Sequence, residues 1–452
     1  MAKKNEIIEV KIEYIDFPNK GIGNFENYKV IVKNALPEQV AKCKITKKRD
    51  GKLEARLEEI KEHAPYEIKS GCSHFDLCGG CAYQNITMEK ENEIKENQVL
   101  KLLDDAGIKG FKYDGIEISP VINGYRNKCE FSFGDTSKDG ELALGMRKRQ
   151  SFYEVVTLND CNIIDKDFTN IIHCVLNFFK ERNVPFYHKM RHDGILRHLV
   201  VRKGAYTGEI LINLVTAKDI NFSLEDFTKE LLSLETQGKI CGILHTENDS
   251  VADIVKSDKT KILYGRDYFT DKLFNLEFKV TAFSFFQTNT KGAEKLYSIV
   301  KEYAGDAQNK VIFDLYCGTG TISQIMAEKS KKVIGIEIIE EAIEAAKENA
   351  KLNKIENCEF IAGDVLKKVD ELTDKPDLII VDPPRDGIHP KAIGKIINFE
   401  APEIIYVSCK PTSLARDLVI FESNGYKTKR VMCMNQFGRT SHVETVCLLV
   451  KE

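Results

Sequence analysis

Short apolar runs alternate with helix-length stretches from about residue 275 to the end of the chain. The runs are VIFDLYC, KVIGIEII, CEFIAGD, LIIVDPP and IIYVSCK. Adjacent parallel strands need a long crossover between them, usually a helix, and strands covered on both faces are continuously apolar. The pattern therefore predicts an α/β fold, with a doubly wound, Rossmann-like parallel sheet in a domain at 271–452.

The rest of the chain predicts two further domains, because 452 residues exceed one ordinary core. Residues 1–62 hold alternating apolar runs broken by Gly21 to Gly23 and by Pro37, which predicts a small OB-like β-barrel. Lys and Arg outnumber acids there, so a nucleic-acid-binding barrel and a neutral spacer are both open. Residues 63–270 predict a mixed, β-rich central domain that includes a helix at about 86–106.

The charge distribution limits the possible partners. The net charge of −3 means that any contacts with nucleic acid must come from local basic clusters. Candidates for phosphate contacts are Lys44–Arg49, Arg147–Arg149 and Arg191–Lys203, with a solvated surface as the alternative for each. No apolar run is long enough to span a membrane or to act as a signal peptide, so we expect a cytoplasmic chain with no membrane partner. We also expect a monomer without an obligate protein partner.

A glycine turn follows the first apolar run of the predicted sheet. Gly318 and Gly320 permit close backbone approach, Glu337 ends the next run at a position suited to ribose hydroxyls, and Asp364 ends the one after that, near the expected adenine. The turn has fewer glycines than a pyrophosphate-binding fingerprint, which favours S-adenosylmethionine over NAD. A purely structural strand–helix turn is the alternative.

Two motifs at the ends of later runs carry candidate chemistry. Asp382 opens a rigid DPPR loop, which suits either methylation of an amino group or methylation of a carbon atom. Cys409 has Lys410 beside it, and a nearby cation favours the thiolate. A thiolate that adds to carbon 6 of uracil makes carbon 5 nucleophilic, and a base must later remove the carbon 5 proton. Glu444 is the candidate base and His442 the weaker rival, while a buried structural role is the alternative for the cysteine.

Six motifs together resemble the 23S ribosomal RNA (uracil-5-)-methyltransferase family. They are FQTN at 286–289, DLYCGTG at 314–320, IGIE at 334–337, DPPR at 382–385, SCKP at 408–411 and HVETV at 442–446. The resemblance implies that Cys409 is the nucleophile and Glu444 the base. It also implies a cofactor pocket framed by Gln287, Tyr316, Glu337 and Asp382.

The resemblance also concerns the substrate. Residues 1–60 look like a TRAM domain, an RNA-binding barrel, and the implied substrate is a single-stranded loop of 23S ribosomal RNA. Two alternatives stay open: the same chemistry on transfer RNA, and an RNA-binding iron–sulfur protein with a degenerate catalytic domain.

Three cysteines near residue 75 form a C-x5-C-x2-C pattern among thirteen in the chain: Cys72, Cys78 and Cys81. The spacing permits zinc, an iron–sulfur cluster or a redox pair. The resemblance implies a [4Fe–4S] cluster completed by Cys161, with Cys129 and Cys174 as rival fourth ligands.

Overall fold

The structure is a computed structural model that describes residues 2–151, 153–251 and 259–452. Five strands form a closed barrel in the order β1-β2-β3-β5-β4. In β1, buried Ile8, Val10 and Ile12 alternate with solvent-facing residues, as the sequence pattern requires of a barrel wall. The predicted N-terminal barrel is confirmed. Its strands are β1 (Ile7–Asp16), β2 (Lys20–Phe25), β3 (Tyr28–Lys33), β4 (Val40–Arg49) and β5 (Lys52–Glu62).

A mixed seven-stranded sheet forms the central domain, in the order β13-β12-β11-β10-β7-β8-β9. Two helices cover one face of it with a core rich in phenylalanine. The strands are β7 (Lys128–Asp135), β8 (Leu142–Arg147), β9 (Val155–Val156), β10 (Leu196–Lys203), β11 (Glu209–Thr216), β12 (Lys239–Glu247) and β13 (Lys259–Gly265). The helices are α2 (Lys166–Glu181) and α3 (Leu224–Ser233), and a hairpin of β14 (Tyr268–Leu273) and β15 (Leu276–Thr281) follows the sheet.

The C-terminal sheet has eight strands in the order β18-β17-β16-β19-β20-β22-β21-β6. Its first five strands are parallel, as predicted, and β22 runs antiparallel to both of its neighbours. The strands from residue 311 onward are β16 (Val311–Leu315), β17 (Lys332–Glu337), β18 (Cys358–Ala362), β19 (Leu378–Val381), β20 (Glu403–Ser408), β21 (Tyr426–Asn435) and β22 (Glu444–Lys451).

Helices lie between most of these strands. A short 3-10 turn, Val369–Glu371, comes directly after the helix that ends at Lys368. In the described part of the chain, no helix is long and apolar enough to cross a membrane. The helices of this region are α4 (Thr290–Ala304), α5 (Thr321–Ala327), α6 (Glu340–Leu352), α7 (Val365–Lys368), α8 (Pro390–Asn398) and α9 (Pro411–Glu422).

The eighth strand of this sheet comes from early in the chain. The helix predicted at about 86–106 is α1 (Met88–Asp105), with Thr87 as its N-cap, and it leads to β6 (Lys112–Ile118). Although β6 lies within the segment predicted as the central domain, it pairs in parallel with β21. Polar residues dominate its sequence, so its apolar content did not mark it as a sheet strand. The C-terminal sheet is therefore completed by residues outside 271–452.

Candidate active site

Strand register brings the predicted site residues to one edge of the C-terminal sheet. Tyr316, Asp382 and Cys409 each follow the last residue of a parallel strand, and Glu337 is the last residue of β17. Carboxyl ends of parallel strands form the ligand-binding edge of doubly wound sheets. Distant parts of the sequence thus share one site.

Cys409 and Glu444 lie close together because β22 begins beside the point where its antiparallel neighbour β20 ends. The last paired residues of β20 and β22 are Ser408 and Thr445, so the next step across the ladder faces Cys409 towards Glu444. Glu444 is 5% exposed, while Cys409 is partly accessible. An accessible thiol beside a sealed carboxyl group is suited to a nucleophile paired with a proton acceptor.

The charges around Cys409 differ from the sequence-based prediction. Burial raises the pKa of Cys409 to about 12, with further increases from Glu444 and Asp382, and the cation that opposes them is Arg385. Lys410 is the N-cap residue of α9, and its backbone N–H donates to Ser408 Oγ at 3.2 Å. Activation of Cys409 by the Lys410 side chain stays a prediction. The arginine was already in the DPPR motif, but its proximity needed the three-dimensional fold.

Two buried carboxyl groups flank the thiol and compete for ionisation. Burial raises the pKa of Glu444 to about 8 and that of Asp382 to about 7, and the charge of Asp382 contributes to the first shift. Burial lowers the pKa of His442 to about 4, so its imidazole is neutral and weakly basic near pH 7. Of the two candidate bases, Glu444 has the greater proton affinity.

The glycine turn shows two separate uses of glycine. Gly318 has a φ of 55° and open space where a side chain would begin, and its N–H donates to Glu337 Oε2 at 3.2 Å. Gly320 has a φ of 71°, and a Cβ there would lie 2.6 Å from Phe360. The first glycine leaves room for a bound molecule, and the second permits close packing.

A buried acid missed by the sequence analysis lies beneath this turn. Asp314 of β16 accepts a 2.5 Å hydrogen bond from Ser323 Oγ, and burial raises the pKa of Asp314 to about 6. Its charge raises the pKa of Asp382. Its position in the DLYCGTG motif was the available signal. This acid thus helps to keep Asp382 protonated.

The remaining predicted cofactor residues surround the same edge. Gln287 Oε1 accepts a 3.0 Å bond from Gln436 Nε2, and Thr319 of the glycine turn donates to the Phe285 carbonyl at 3.3 Å. Burial raises the pKa of Tyr316 to about 12, with Asp364 and Glu337 among the contributing charges. Asp364 also caps α7, accepting from the Leu366 N–H at 2.9 Å. This edge of the sheet therefore gathers carboxyl, hydroxyl and amide groups around the glycine turn.

These acids predict a pH dependence of stability. Glu444 and Asp382 keep their protons in the folded chain to about pH 8 and 7, whereas an unfolded chain releases them near pH 4. The unfolded state binds fewer protons between those limits, so stability falls as pH rises through them. We expect Glu444→Gln to melt a few degrees above wild type at about pH 8.5, with a gap that narrows towards about pH 5.

Scanning calorimetry at the two pH values measures this difference. Glu341→Gln on exposed α6 is the matched control and should melt with the wild type at both. A Glu444→Gln gain that is equal at both pH values would contradict burial of an ionisable carboxyl.

Four cysteines lie close to one another. Burial raises the pKa of the Cys81 thiol to about 12, with further increases from the charges of Cys161, Cys78 and Cys72. Among residues that the structure describes, no three potential donors converge tightly enough to surround one metal ion. The mutual influence of the four thiols places them close to one another.

Backbone and side-chain donors point at these sulfur atoms. Gly80 N–H donates to Cys78 Sγ at 3.4 Å, and Gln84 Nε2 lies 3.5 Å from Cys81 Sγ. Cys174 contacts the Glu230 carbonyl and its pKa depends on no other cysteine, whereas Cys129 is fully buried. Of the candidate fourth ligands, Cys161 acts on the trio most directly.

The three basic clusters divide into exposed and structural residues. Lys47, Lys48 and Arg49 are exposed on the barrel. Arg197 and Arg202 are 3% and 2% exposed, and they donate to the carbonyls of Ser250 and Ser284. Within the candidate stretch Arg191–Lys203, the prediction of phosphate contacts is therefore wrong for Arg197 and Arg202, which are buried, whereas Arg191 is exposed.

Arg149 is likewise tied to the cysteine region. Its guanidinium donates to the Cys81 carbonyl at 2.8 Å and lies 4.9 Å from the centre of the Phe75 ring. Arg147 and Lys148 line a neighbouring cavity of about 700 Å³, together with Gly80 and Ser132. The basic surface beside the four cysteines is concave.

Two family models match this chain. That of the tRNA (uracil-5-)-methyltransferases matches residues 122–452, and that of the TRAM domain matches residues 2–57. An uncharacterized RNA methyltransferase of Clostridium acetobutylicum is 50% identical over 452 residues, which cover 100% of this chain and 99% of the relative. One of Clostridium tetani is 49% identical over 444 residues, covering 98% and 97%.

One solved structure has the same fold over nearly its whole length. It is the Pyrococcus abyssi tRNA (uracil-54, C5)-methyltransferase in complex with S-adenosyl-L-homocysteine. The TM-score is 0.78 at 24% identity, with 98% of this chain and 99% of the other covered. At that identity the likeness shows the shared architecture.

Proposed function

Because this chain belongs to the tRNA (uracil-5-)-methyltransferase family and carries a TRAM domain, we propose that it methylates carbon 5 of a uridine in 23S ribosomal RNA. The observation that carries the chemistry is the pairing of an accessible thiol, Cys409, with the sealed carboxyl group of Glu444. Amino-group methylation, the other reading of the DPPR loop, has no need of a nucleophilic thiol.

The pocket at the glycine turn fits S-adenosylmethionine. Glu337 would bind the ribose, Tyr316 and Asp364 would frame the adenine side, and Gln287 would face the methionine side. The bound cofactor supplies an electrophilic methyl group. The space at Gly318 and the absence of a phosphate loop in this part of the structure suit a nucleoside without phosphates.

The proposed mechanism uses the two paired residues in sequence. The partly accessible Cys409 thiol loses its proton to solvent, and the thiolate forms a bond to carbon 6 of the uracil. The electron pair of the C5=C6 bond moves into an enolate, which makes carbon 5 nucleophilic. After carbon 5 has been methylated, Glu444 removes the remaining carbon 5 proton. The C–H electrons form the C5=C6 bond, and the C6–S bond breaks to release the Cys409 thiolate. Arg385 opposes the two carboxyl groups that disfavour that thiolate.

The choice of ribosomal RNA rests on the motifs that resemble the 23S ribosomal RNA family, and the parts outside the catalytic sheet support binding of a folded RNA. The TRAM barrel carries exposed Lys47 to Arg49, and the central domain offers a concave basic surface. Both suit a folded RNA with a single-stranded target loop. Transfer RNA is the second candidate, favoured by the solved enzyme that shares the fold.

Labelling two RNA pools separates these substrates. RNA from a strain lacking the gene would be divided into ribosomal and transfer fractions and incubated with the enzyme and methyl-labelled cofactor. We expect labelled 5-methyluridine in 23S RNA and none in transfer RNA. Label confined to transfer RNA would overturn the substrate, and label on an amino group would overturn the chemistry.

We further propose that Cys72, Cys78, Cys81 and Cys161 hold a [4Fe–4S] cluster. Each thiolate of such a cluster binds a different iron ion, so the ligands surround the cluster and do not meet at one point. The mutual influence of the four thiols, and donors such as the Gly80 N–H, support this arrangement. Carbon 5 methylation needs no electron transfer, so the cluster would shape the RNA-docking surface.

Replacing one ligand tests the cluster. Protein prepared without oxygen should contain about four iron ions per chain. Cys78→Ser should lose iron and bind RNA more weakly, while the Cys409 thiol stays in place. Cys174→Ser, which changes a cysteine outside the group, should keep both properties. Normal RNA affinity in an iron-free variant would contradict the docking role.

A further inference from the structure

The residue proposed as the base follows directly after an irregular segment. Residues 436–443, which we call the base loop, join β21 to β22, and Glu444 is the first residue beyond it. Irregular segments of this length do not hold a side chain in place without tertiary contacts. The contacts of the base loop therefore decide where the carboxyl group lies.

A buried lysine of α1 holds the start of the base loop. Lys95 is 0% exposed, and its ammonium donates to Glu91 Oε1 at 2.8 Å, to Asn435 Oδ1 at 2.7 Å and to the Phe437 carbonyl at 3.5 Å. Burial lowers the pKa of Lys95, and the charges of Glu91 and Glu444 oppose that shift. The ammonium group of Lys95 is thus enclosed in the protein interior near Glu444.

The partner of this lysine holds the middle of the same loop. Glu91, also 0% exposed, accepts from the Arg439 N–H at 2.9 and 3.1 Å, and from Asn435 Nδ2 at 3.0 Å. Arg439 has a left-handed φ of 70°, which a residue with a side chain adopts only under such restraint. The pair therefore restrains the loop at two points.

We propose that Lys95 is a positioning residue for Glu444, fixing the base loop and placing a positive charge behind the carboxylate when the carbon 5 proton must leave. This inference rests on the proposed role of Glu444. A buried ion pair contributes no more stability than well-packed apolar residues, so stability alone does not account for one sealed at this point.

The charges around the Glu444 carboxyl group indicate a specific role for Lys95. Two cations, Arg385 and Lys95, favour ionisation of Glu444, and Asp382 opposes it. Arg385 also acts on Cys409, whereas Lys95 is absent from the leading influences on that thiol. Lys95 therefore acts on the base separately from the nucleophile. The ionisable groups that interact with Glu444 include Asp382, Arg385, Cys409, Tyr297 and Lys95. The charges of Arg385 and Lys95 also help to lower the pKa of His442.

Lys95→Met keeps the length of the side chain and removes its charge. With ordinary uridine RNA, the rate at which the wild-type methylated adduct releases product should rise with pH to a plateau as Glu444 ionises near pH 8. In Lys95→Met the midpoint should move up by about one pH unit, because the neighbouring positive charge is gone. The covalent RNA adduct should accumulate at neutral pH, the KM for RNA should be unchanged, and raising the pH should restore the rate.

Two further variants keep the result interpretable. Lys101→Met, on the exposed face of the same helix, should match the wild type. If Lys95→Met does not fold because Glu91 is left unpaired, the double variant Lys95→Met/Glu91→Gln removes both charges and should shift the midpoint in the same direction.

The outcomes distinguish the inference from the proposed function. A lower rate with an unshifted midpoint, or an unchanged adduct fraction, would overturn the role of Lys95. A wild-type enzyme that never forms an RNA adduct would instead overturn the covalent mechanism.

Discussion

We expect Cys409→Ala to lower the rate of uridine methylation by at least about 10⁴-fold, because no other group can activate carbon 5 by adding to the ring. The variant should still bind S-adenosylmethionine, whose proposed pocket lies at β16 and β17. The rate is measured with labelled cofactor under single-turnover conditions. Cys409→Ser should be similarly inactive, since a hydroxyl group is a far weaker nucleophile.

Trapping the adduct makes this test direct. Fluorine at carbon 5 cannot leave as a cation, so RNA containing 5-fluorouridine should remain bound to wild-type enzyme on a denaturing gel. Cys409→Ala should show no such band. Cys358→Ala is the matched control, because burial also raises the pKa of Cys358 to about 12, yet it lies at the start of β18, away from the site edge. Methylation by Cys409→Ala at the wild-type rate would refute the mechanism.

Glu444→Gln should stop the reaction after methyl transfer. Loss of a general base lowers turnover by about 10²–10⁴-fold. The amide has nearly the size of the carboxyl group but cannot accept the carbon 5 proton, so the methylated adduct should persist with ordinary uridine RNA. Denaturing electrophoresis with labelled cofactor should show the label on a protein–RNA band.

Cys409→Ala and Glu444→Gln should give opposite results. Cys409→Ala should form no adduct and Glu444→Gln should accumulate it, although positions 409 and 444 are neighbours across one strand pair. A Glu444→Gln enzyme that turns over normally would assign proton removal to another group. His442, whose pKa is lowered to about 4, is the nearest rival in the sequence.

The sequence predicted the elements whose patterns are local. Alternation predicted the barrel, and apolar runs predicted the parallel strands from β16 to β20. Strand-end motifs indicated where chemistry collects, because all parallel strands deliver their carboxyl ends to one edge. Predicting these features requires only the period of the apolar pattern and the direction of the strands.

Features that depend on long-range packing escaped the sequence analysis. Arg385 acts on Cys409 from a loop that lies against α9, where Ser413 Oγ donates to the Arg385 carbonyl. The sequence placed Arg202 in a candidate phosphate-binding stretch, but in the structure its guanidinium is buried and donates to the Ser284 carbonyl. Lys95 lies on a helix rich in charged residues, and its burial depends on contacts with Glu91, Asn435 and the base loop.

The pairing of β6 with β21 has a consequence for the order in which the chain can fold. During synthesis, β6 emerges long before its partner and must wait, unpaired, until the penultimate strand has left the ribosome. A fragment starting at 271 would leave β21 as a bare edge containing Val431, Met432 and Met434. Such an edge invites pairing between molecules, so the isolated C-terminal fragment should aggregate where the whole chain stays dispersed.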